Sequence, residues 1–266
     1  MPNIVVCIKA VPSDLNVHVS RRTGEPVLEG LRWVINPWEK RAIAMGLELV
    51  KTHGGALTVV TMDEPSASMA LREALAMGAD KAILLHDRAF EGADTLATAR
   101  VLSAAVTKLR PDIVLTGGRT ADRRAAGVGP MLAQLLNVPA VTFVMDAAMQ
   151  GRAVEVRKRF GAKVAKYEVP LPCLLSVGDE APKPAIATAW GVHDAYATKE
   201  VKVWNIRDLD LHEESVGKEG SPTRVRRMEK LARERKERAE VEHFEGEPAE
   251  IAKAFVRRLR SRGVVP

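Results

Sequence analysis

The sequence is poor in aromatic residues and in cysteine. Aromatic side chains make up 4% of the 266 residues, so a core has to be packed mainly by aliphatic side chains and alanine. The two cysteines, Cys7 and Cys173, stand in apolar runs typical of strands, where we expect buried thiols and no disulfide. Cysteine and histidine residues are not grouped at the spacing of metal ligands, so the sequence predicts no metal site.

A long apolar run is also missing. No stretch of about 18 consecutive apolar residues occurs, so no segment is predicted to span a membrane. The N-terminal residues have neither the basic start nor the small-residue cleavage site of a signal peptide, and we therefore expect a cytoplasmic protein. Hydrophobic residues still account for 46% of the chain, which is enough for one large α/β domain with an appendage.

The positive charge is concentrated in two stretches. The formal net charge is +6, and most of the excess lies in residues 224–238 and 257–262. A helix that faces solvent or a partner protein accounts for these stretches as well as RNA binding does. Because the basic residues do not alternate with aromatic ones, as they do in single-strand-binding proteins, we expect no nucleic acid partner.

Short apolar runs alternate with segments of helical periodicity in the first part of the chain. The predicted strands are 4–8, 56–61, 81–85, 113–116 and 140–144. The predicted helices are 37–51, 66–77, 94–109 and 131–136, with Pro37 in a first turn, Asp94 or Thr95 as an N-cap and Gly78 as a C-cap. Alternation of this kind implies parallel pairing in a doubly wound α/β sheet.

The pattern changes in the second part of the chain. Alternating residues at 153–159 and 163–169 predict a β-hairpin, and 172–177 predicts one more buried strand. An irregular, proline-rich loop follows, and from about residue 209 the chain is charged until apolar periodicity returns at 249–259. We divide the chain into an α/β domain, 1–208, and a C-terminal arm, 209–266, which is either extended over another subunit or unattached.

The most informative segment is the glycine-rich stretch after the strand 113–116. It contains Arg119, Arg123 and Arg124 and leads into a predicted helix, an arrangement with which α/β proteins bind phosphate. An ordinary turn would also need such glycines, and the stretch is neither a Walker A loop nor a GxGxxG motif.

In an open parallel sheet, ligands bind at the carboxyl ends of the strands. The segments that follow the first, second and fourth predicted strands are therefore expected to converge. These segments are 7–14, 62–65 and 117–128, and residues 36–39 would complete the site.

Several ordered motifs along the chain match one known family. They are CIKAVPSD near the N-terminus, INPWEKRAIAMGLEL, LREALAMGADKAILL, GGRTADRRAAGVGPMLAQLLNVP and, later, VPLPCLLSVGDEAPKPAI. On these motifs the chain resembles the β subunit of electron transfer flavoprotein along nearly its whole length. Because the motifs occur in the family's order, the set is far more specific than any one of them.

The resemblance implies a fold, a function and partners. It implies a Rossmann-like sheet that binds an adenine nucleotide, and pairing with an α subunit whose FAD accepts electrons from a flavin dehydrogenase. The loop around 179–199 aligns with the segment that docks to dehydrogenases, and the C-terminal arm aligns with the one that wraps onto the α subunit. A membrane quinone reductase is a further candidate partner, although the chain itself is not expected to be a membrane protein.

The resemblance also implies which residues bind the nucleotide. It implies that the backbone N–H groups of Gly127, Val128 and Gly129 face a phosphate. It also implies that Asp122 bonds a hydroxyl or closes an Asx turn. Trp38 would pack near the α-subunit flavin or in the subunit interface. The complete set of cofactor-binding candidates is Cys7, Asn36, Pro37, Trp38, Glu39, Met62, Gly117, Gly118, Arg119, Thr120, Asp122, Gly127, Val128, Gly129 and Thr223.

The identity of the nucleotide depends on the C-terminal region. Some members of the family carry AMP in the β subunit as a structural nucleotide, whereas others carry a second FAD, take a hydride from NADH and can split the electron pair. The string GKEGSPTRV, residues 217–225, resembles the second group and favours FAD, with AMP as the alternative. A turn followed by a helix N-terminus would have a similar sequence.

The chain departs from the family at several positions. Arg124, Ala125 and Gly127 replace an acid, a threonine and a glutamine in the nucleotide loop, so this loop loses side-chain donors and gains a cation. The docking loop lacks the family's arginine, with Lys183 nearest, which suggests a dedicated electron-transfer partner.

An adenine-nucleotide hydrolase or sensor on the same general fold is a separate alternative, because a fold does not fix a function. No nucleophile and base stand together beside the glycine loop. His86 and His193 lie apart from each other and from that loop, and we expect no catalytic side chain.

Overall fold

The computed structural model describes residues 1–13, 20, 27, 30–226 and 242–265. The chain divides into two compact units, Met1–Met228 and Glu229–Pro266. Most of the first basic stretch that the sequence analysis singled out, from residue 227 onward, lies outside the described residues, as does residue 14 at the end of the first converging segment.

The first unit contains eleven strands and five α-helices among its described residues. The strands are β1 (Asn3–Cys7), β2 (Ala10–Pro12), β3 (Trp33–Ile35), β4 (Ala56–Met62), β5 (Lys81–Leu85), β6 (Ile113–Gly117), β7 (Ala140–Gln150), β8 (Ala153–Phe160), β9 (Lys163–Pro170), β10 (Cys173–Val177) and β11 (Val201–Trp204). The helices are α1 (Pro37–His53), α2 (Ser68–Met77), α3 (Thr95–Leu109), α4 (Val128–Leu136) and α5 (Ala189–Ala197). The second unit contains α6 (Pro248–Ser261).

Nine of the strands form one sheet in the order β11-β5-β4-β1-β6-β10-β7-β8-β9. The seven strands from β11 to β7 are parallel neighbours, and β8 and β9 extend the sheet in antiparallel fashion. After β1 the chain builds outward on one side through β4 and β5 and then crosses to place β6 on the other side. The predicted α/β fold with a mostly parallel sheet is confirmed, and its topological switch point lies between β1 and β6.

Helices cover both faces of the sheet because successive strand residues point to opposite sides. In β1, Ile4 and Val6 pack in a cluster with residues of α1 and α2, whereas Val5 and Cys7 pack with residues of α3 and α4. All four side chains are at most 5% exposed. The near-continuous apolar character of the strand therefore follows from burial on both faces.

The predicted ends of three helices agree with the structure. Pro37 occupies the first turn of α1, and Gly78 ends α2 with a φ of +122°, a conformation that glycine adopts without strain. Asp94 caps α3 by accepting hydrogen bonds from the N–H groups of Leu96 and Ala97 at 2.9 and 3.0 Å.

Other element boundaries differ from the prediction. Helix α4 begins at Val128, three residues earlier than predicted, and Gly129 in its first turn packs closely against Thr116 at the end of β6. Strand β7 continues to Gln150 because its second half pairs with β8. The predicted hairpin is confirmed as β8 and β9, whereas α5 and β11 form in a segment that the sequence pattern left irregular.

The segment 209–226 packs on the α/β unit. Leu209 and Val216 are 7% and 0% exposed and lie in the cluster that also contains α3 residues. The boundary between the compact units accordingly follows Met228, downstream of residue 209, where the sequence placed the start of the arm. Among the described residues, no helix is both long and apolar enough to cross a membrane.

Candidate functional site

A cleft of about 280 Å³ lies at the carboxyl ends of β1, β4 and β6. Strand register brings the ends together, since Cys7 pairs with Val60 on one side and with Thr116 on the other. Nine of the predicted cofactor-binding residues line this cleft. They are Cys7, Glu39, Met62, Gly117, Arg119, Thr120, Gly127, Val128 and Gly129.

The other predicted residues stand around the cleft or away from it. Asn36 precedes α1, Pro37 and Trp38 are the first two residues of that helix, and Gly118 packs against Phe143. Asp122 and Thr223 are treated below with the residues they contact. None of these six is among the residues that line the cleft.

Asn36 holds the glycine loop in place. This fully buried side chain donates from Nδ2 to the carbonyl oxygen of Arg119 at 2.9 Å and accepts at Oδ1 from the N–H of Ala121 at 2.9 Å. A buried amide without these hydrogen-bond partners would destabilise the folded state. The residue therefore acts on the cleft through the loop backbone.

Glycines let the backbone approach closely at two points of the cleft wall. A Cβ on Gly117 would lie 2.8 Å from Cγ of Glu39, and a Cβ on Gly129 would lie 2.8 Å from Oγ1 of Thr116. Both distances are too short for a real side chain. The two positions require glycine because the β6 end, the start of α1 and the start of α4 meet there.

The backbone at the start of α4 has the kind of geometry with which proteins bind anions. Ala126 has a φ of +53° and the following Gly127 is right-handed helical, which turns successive backbone N–H groups toward one side. The helix dipole adds partial positive charge at Val128. Thr116, which is 4% exposed, also lines the cleft, and its Oγ1 has no hydrogen-bond partner within the described part of the chain.

Arg119 is held by aromatic rings. Its Cζ lies 5.6 Å from the ring centre of Trp38 and 5.5 Å from that of Phe143, at cation–π distance. Its buried Nε finds no acceptor among the described residues, and neither does Nε1 of Trp38. A cation therefore stands at the cleft wall with unused hydrogen-bonding capacity.

An ion pair connects the loop to the end of β1. Lys9 donates from Nζ to Asp122, and its backbone N–H donates to Oε2 of Glu39 at 2.5 Å. Burial by itself would raise the pKa of Asp122, but the bonds from Lys9 and Thr120 hold it below its ordinary value. The carboxylate of Asp122 is thus paired within the protein, and its Oδ1 also accepts a hydrogen bond from the N–H of Arg123 at 2.7 Å.

Two buried groups in the cleft are neutral near pH 7. Burial raises the pKa of Glu39 to about 8, although bonds from Lys9 and Asn36 lower it in part. Burial and the neighbouring Glu39 raise the pKa of the Cys7 thiol to about 12. Cys7 is therefore a packing residue and not a thiolate nucleophile.

The segment Ser221–Thr223 is held at the edge of the cleft by Asp94. The backbone N–H of Asp94 donates to Oγ of Ser221 at 2.8 Å, and its Oδ2 accepts from the N–H of Thr223 at 2.9 Å. Asp94 itself lines the cleft. Burial would raise its pKa, but the N–H donors of Ala97 and Thr223 hold it below the ordinary value.

The sequence analysis did not place several cleft residues in the site. Lys9, Asp63 and Asp94 all line it. Lys9 lies two residues after β1 and Asp63 directly follows β4. Both lie within the segments that were expected to converge, so the sequence did indicate their positions. Asp94 was predicted only as a helix cap, because nothing local indicates its contact with Thr223.

Replacing Asp94 with alanine is expected to destabilise the protein by about 1–2 kcal/mol, because α3 loses its N-cap. Thr223 loses its acceptor in the same variant. D94N is the matched control, since an amide oxygen can still cap α3. Urea unfolding of the two variants tests this, and equal losses in D94A and D94N would contradict a role for the cap.

These features define an α/β protein with a cleft at the switch point of its mostly parallel sheet. Comparison with known proteins agrees with that class. The electron transfer flavoprotein domain matches residues 27–209, and the chain belongs to the electron transfer flavoprotein family.

Three relatives illustrate the match. The electron transfer flavoprotein subunit beta of Thermoanaerobacterium thermosaccharolyticum is 39% identical over 263 residues, which cover 99% of this chain and 100% of that protein. Subunit CarD of the caffeyl-CoA reductase-Etf complex of Acetobacterium woodii is 39% identical over 224 residues, 84% of this chain and 85% of its own length. Protein FixA of Azorhizobium caulinodans is 38% identical over 269 residues, 96% of this chain and 94% of its own length. These relatives support a β-subunit role in electron transfer.

Proposed function

We propose that this chain is the nucleotide-holding β subunit of an electron transfer flavoprotein, with FAD in its cleft in preference to AMP. The observation that carries the proposal is the combination at the start of α4. A glycine-lined cleft, the backbone N–H groups of the first helical turn and the hydroxyl of Thr116, which has no partner among the described residues, would all meet a phosphate there.

The residues fit an adenine nucleotide in charge and in size. Arg119 contributes a cation whose buried Nε has no acceptor in the described part of the chain, and the backbone at Gly117 and Gly129 can approach a ligand closely. The cleft volume of about 280 Å³ is near the lower end of the range for small-molecule sites, about 300–1,000 Å³. This volume suits the adenylate portion that AMP and FAD share.

FAD is preferred because of the segment at the edge of the cleft. The GSPT string, which resembles that of FAD-bearing relatives, is fixed beside the site by the bonds between Asp94, Ser221 and Thr223. The volume of the cleft favours the alternative, in which AMP is a structural nucleotide beside a single flavin in the α subunit.

The roles of the protein residues follow from their environments. When bound, FAD would supply the redox chemistry. The loop backbone would hold the phosphates, Arg119 would favour negative charge on the ligand nearby, and Glu39 would keep its proton up to about pH 8. Electrons would arrive from a flavin dehydrogenase or from NADH.

The relatives named as β subunits support an α subunit as partner, and we propose that this α subunit bears FAD and that the pairing is obligate. Helix α6 offers it an apolar stripe, Ile251, Phe255 and Leu259, at helical spacing. The loop around 179–199 is proposed to dock a flavin dehydrogenase. It contains α5, whose Trp190 and Tyr196 are 80% and 62% exposed, and a membrane quinone reductase is a further candidate acceptor.

Cofactor analysis of the co-expressed heterodimer tests the proposal. We expect one FAD in each subunit and no AMP, measured by visible absorbance and by nucleotide chromatography after denaturation. One FAD together with AMP would replace the FAD preference with the structural-nucleotide alternative. A heterodimer that retains no adenine nucleotide in this subunit would overturn the proposal.

A further inference from the structure

One edge of the nine-stranded sheet is open. β9 is the last strand in the sheet order, and in the part of the chain that the structure describes its outer side pairs with no other strand. Its eight residues pair with β8 in unbroken register, and the one proline among them, Pro170, is the final residue. A long and regular edge of this kind is a template for pairing with another chain.

The backbone groups that face this edge belong to alternate residues. In an antiparallel pair, every second residue exchanges its N–H and C=O bonds with the partner strand, and the residues between them point theirs away. Leu171, just past the end of β9, donates its N–H to the carbonyl oxygen of Arg152 at 3.1 Å, so the odd-numbered residues of β9 bond to β8. Val164, Lys166 and Glu168 therefore present their N–H and C=O groups to the open edge.

The charged side chains of β9 have unfavourable neighbours on β8. The register places Glu168 directly opposite Glu155. It also places Lys166 directly opposite Arg157, and like charges in such positions destabilise a sheet. Lys166 compensates by a diagonal ion pair with Glu155, from Nζ to Oε2 at 2.5 Å. Glu168 has no ion-pair partner among the described residues, so an exposed acid at the open edge lacks a counter-ion within one copy of the chain.

A second copy of the same strand would supply that counter-ion. Two copies of β9 related by a two-fold axis can pair in antiparallel fashion through their outward-facing residues. With the axis at Tyr167, Lys166 of each copy lies opposite Glu168 of the other. With the axis at Lys166 or at Glu168, like charges would meet instead, and with the axis at Ala165, Glu168 would extend past the other strand. The charge pattern of β9 thus selects one register.

We propose that β9 pairs with the β9 strand of a second copy of this chain, so that two copies join their sheets edge to edge. In this register the Tyr167 side chains, each 39% exposed in a single copy, lie opposite each other as a cross-strand aromatic pair. The pairs of Lys166 with Glu168 fall on the other face, at positions where both backbone hydrogen bonds form. The interface is additional to the proposed function, because nothing in nucleotide binding requires it.

Charge reversal tests this register. The chain is co-expressed with its α subunit, and the mass of the purified complex is measured by sedimentation velocity over a concentration series. We expect the wild-type complex to contain two copies of this chain at the upper concentrations. E168K places lysine opposite lysine at both symmetric positions and should weaken this association by about tenfold or more. E48K, which makes the same charge change at an exposed position of α1, should associate as wild type does.

The same geometry provides variants that keep the fold. In E168K the new lysine faces Glu155 of β8, so a like-charge pair within the hairpin becomes an opposite-charge pair, and the variant should unfold at no lower urea concentration than wild type. The double variant K166E/E168K exchanges both charges and should restore the association. A mixture of the K166E and E168K complexes should also associate, although neither does so alone, because each strand then meets the opposite charges of the other.

The outcomes separate this inference from the proposed function. A wild-type complex with a single copy of this chain at every concentration would overturn the edge pairing and leave the proposed function untouched. A double variant that fails to associate would also overturn it, since the association would then not depend on the charge pairs. Loss of the α subunit from E168K would show that the edge pairs with that subunit and not with a second copy. Association of both the double variant and the mixture would confirm the register.

Discussion

Replacing Gly220 with alanine should destabilise the protein by about 3 kcal/mol and release the FAD that we propose for this subunit, because the new methyl group has no room. A Cβ on Gly220 would lie 2.2 Å from the carbonyl carbon of Ser215 and 2.4 Å from the backbone nitrogen of Val216. These are backbone atoms, which cannot rotate away as the end of a side chain can. The clash therefore has to move the whole turn.

The turn is part of the structure that holds the GSPT segment beside the cleft. The carbonyl oxygen of Gly220 accepts from Arg100 at 2.8 Å, and Val216 is fully buried against the α3 face. Next to it, Ser221 accepts the backbone N–H of Asp94 at 2.8 Å. A displaced turn breaks these contacts together, so stability and flavin retention should fall in parallel.

Three measurements examine G220A. Urea unfolding gives the loss of stability, limited proteolysis reports cleavage within 210–226, and the absorbance of the purified heterodimer gives the flavin content. G161A is the control for backbone strain alone, since Gly161 has a φ of +56° and open space around it. We expect that control to lose about 1 kcal/mol and no flavin. If G220A behaved like G161A, the segment would not support the site.

The second large effect concerns pH. The pKa of Glu39 is about 8 in the folded protein because burial disfavours its charged form, compared with the ordinary value of 4.5 for an exposed carboxyl. The folded state therefore binds this proton more tightly than the unfolded state does. The stabilisation is fully present below about pH 4.5 and is lost as the pH rises through about 8. The loss amounts to about 3–5 kcal/mol.

Unfolding of E39Q should lack this component of the pH dependence. The amide oxygen of glutamine can still accept the N–H of Lys9, and the side chain stays neutral at every pH. Urea unfolding at a series of pH values from about 5 to 9 should show wild type losing stability relative to E39Q. E48Q, which changes an exposed acid on the same helix, should follow wild type, and parallel profiles for wild type and E39Q would refute the buried-acid assignment.

Much of the scaffold was predictable from local patterns. Apolar residues that recur with a period of 3.6 residues indicate a helix such as α3, and a short apolar run indicates a buried strand such as β1. The caps at Asp94 and Gly78 could be predicted because capping depends on a few neighbouring residues. The convergence of the strand ends follows from parallel pairing alone, and so the general position of the cleft could be predicted from the sequence.

Elements that depend on distant contacts were not predicted. Helix α5 packs on α2, where Arg72 donates to the carbonyl oxygens of Ala195 and Lys199 and a Cβ on Gly191 would meet Ala76. Strand β11 forms because β5 offers an unpaired edge. Neither the nine residues of α5 nor the four residues of β11 have a strong period of their own.

The sequence by itself determined the α/β alternation, the glycine loop at a strand end and the family, because each is encoded in residues adjacent along the chain. The tertiary structure alone decided which charges remain available in the cleft. Lys9 meets Asp122 across 113 residues, and Thr223 meets Asp94 across 129. Burial, which raises the pKa of Glu39, likewise depends on everything packed around it. Such contacts cannot be predicted from neighbouring residues, since they form only when the strands assemble into the sheet.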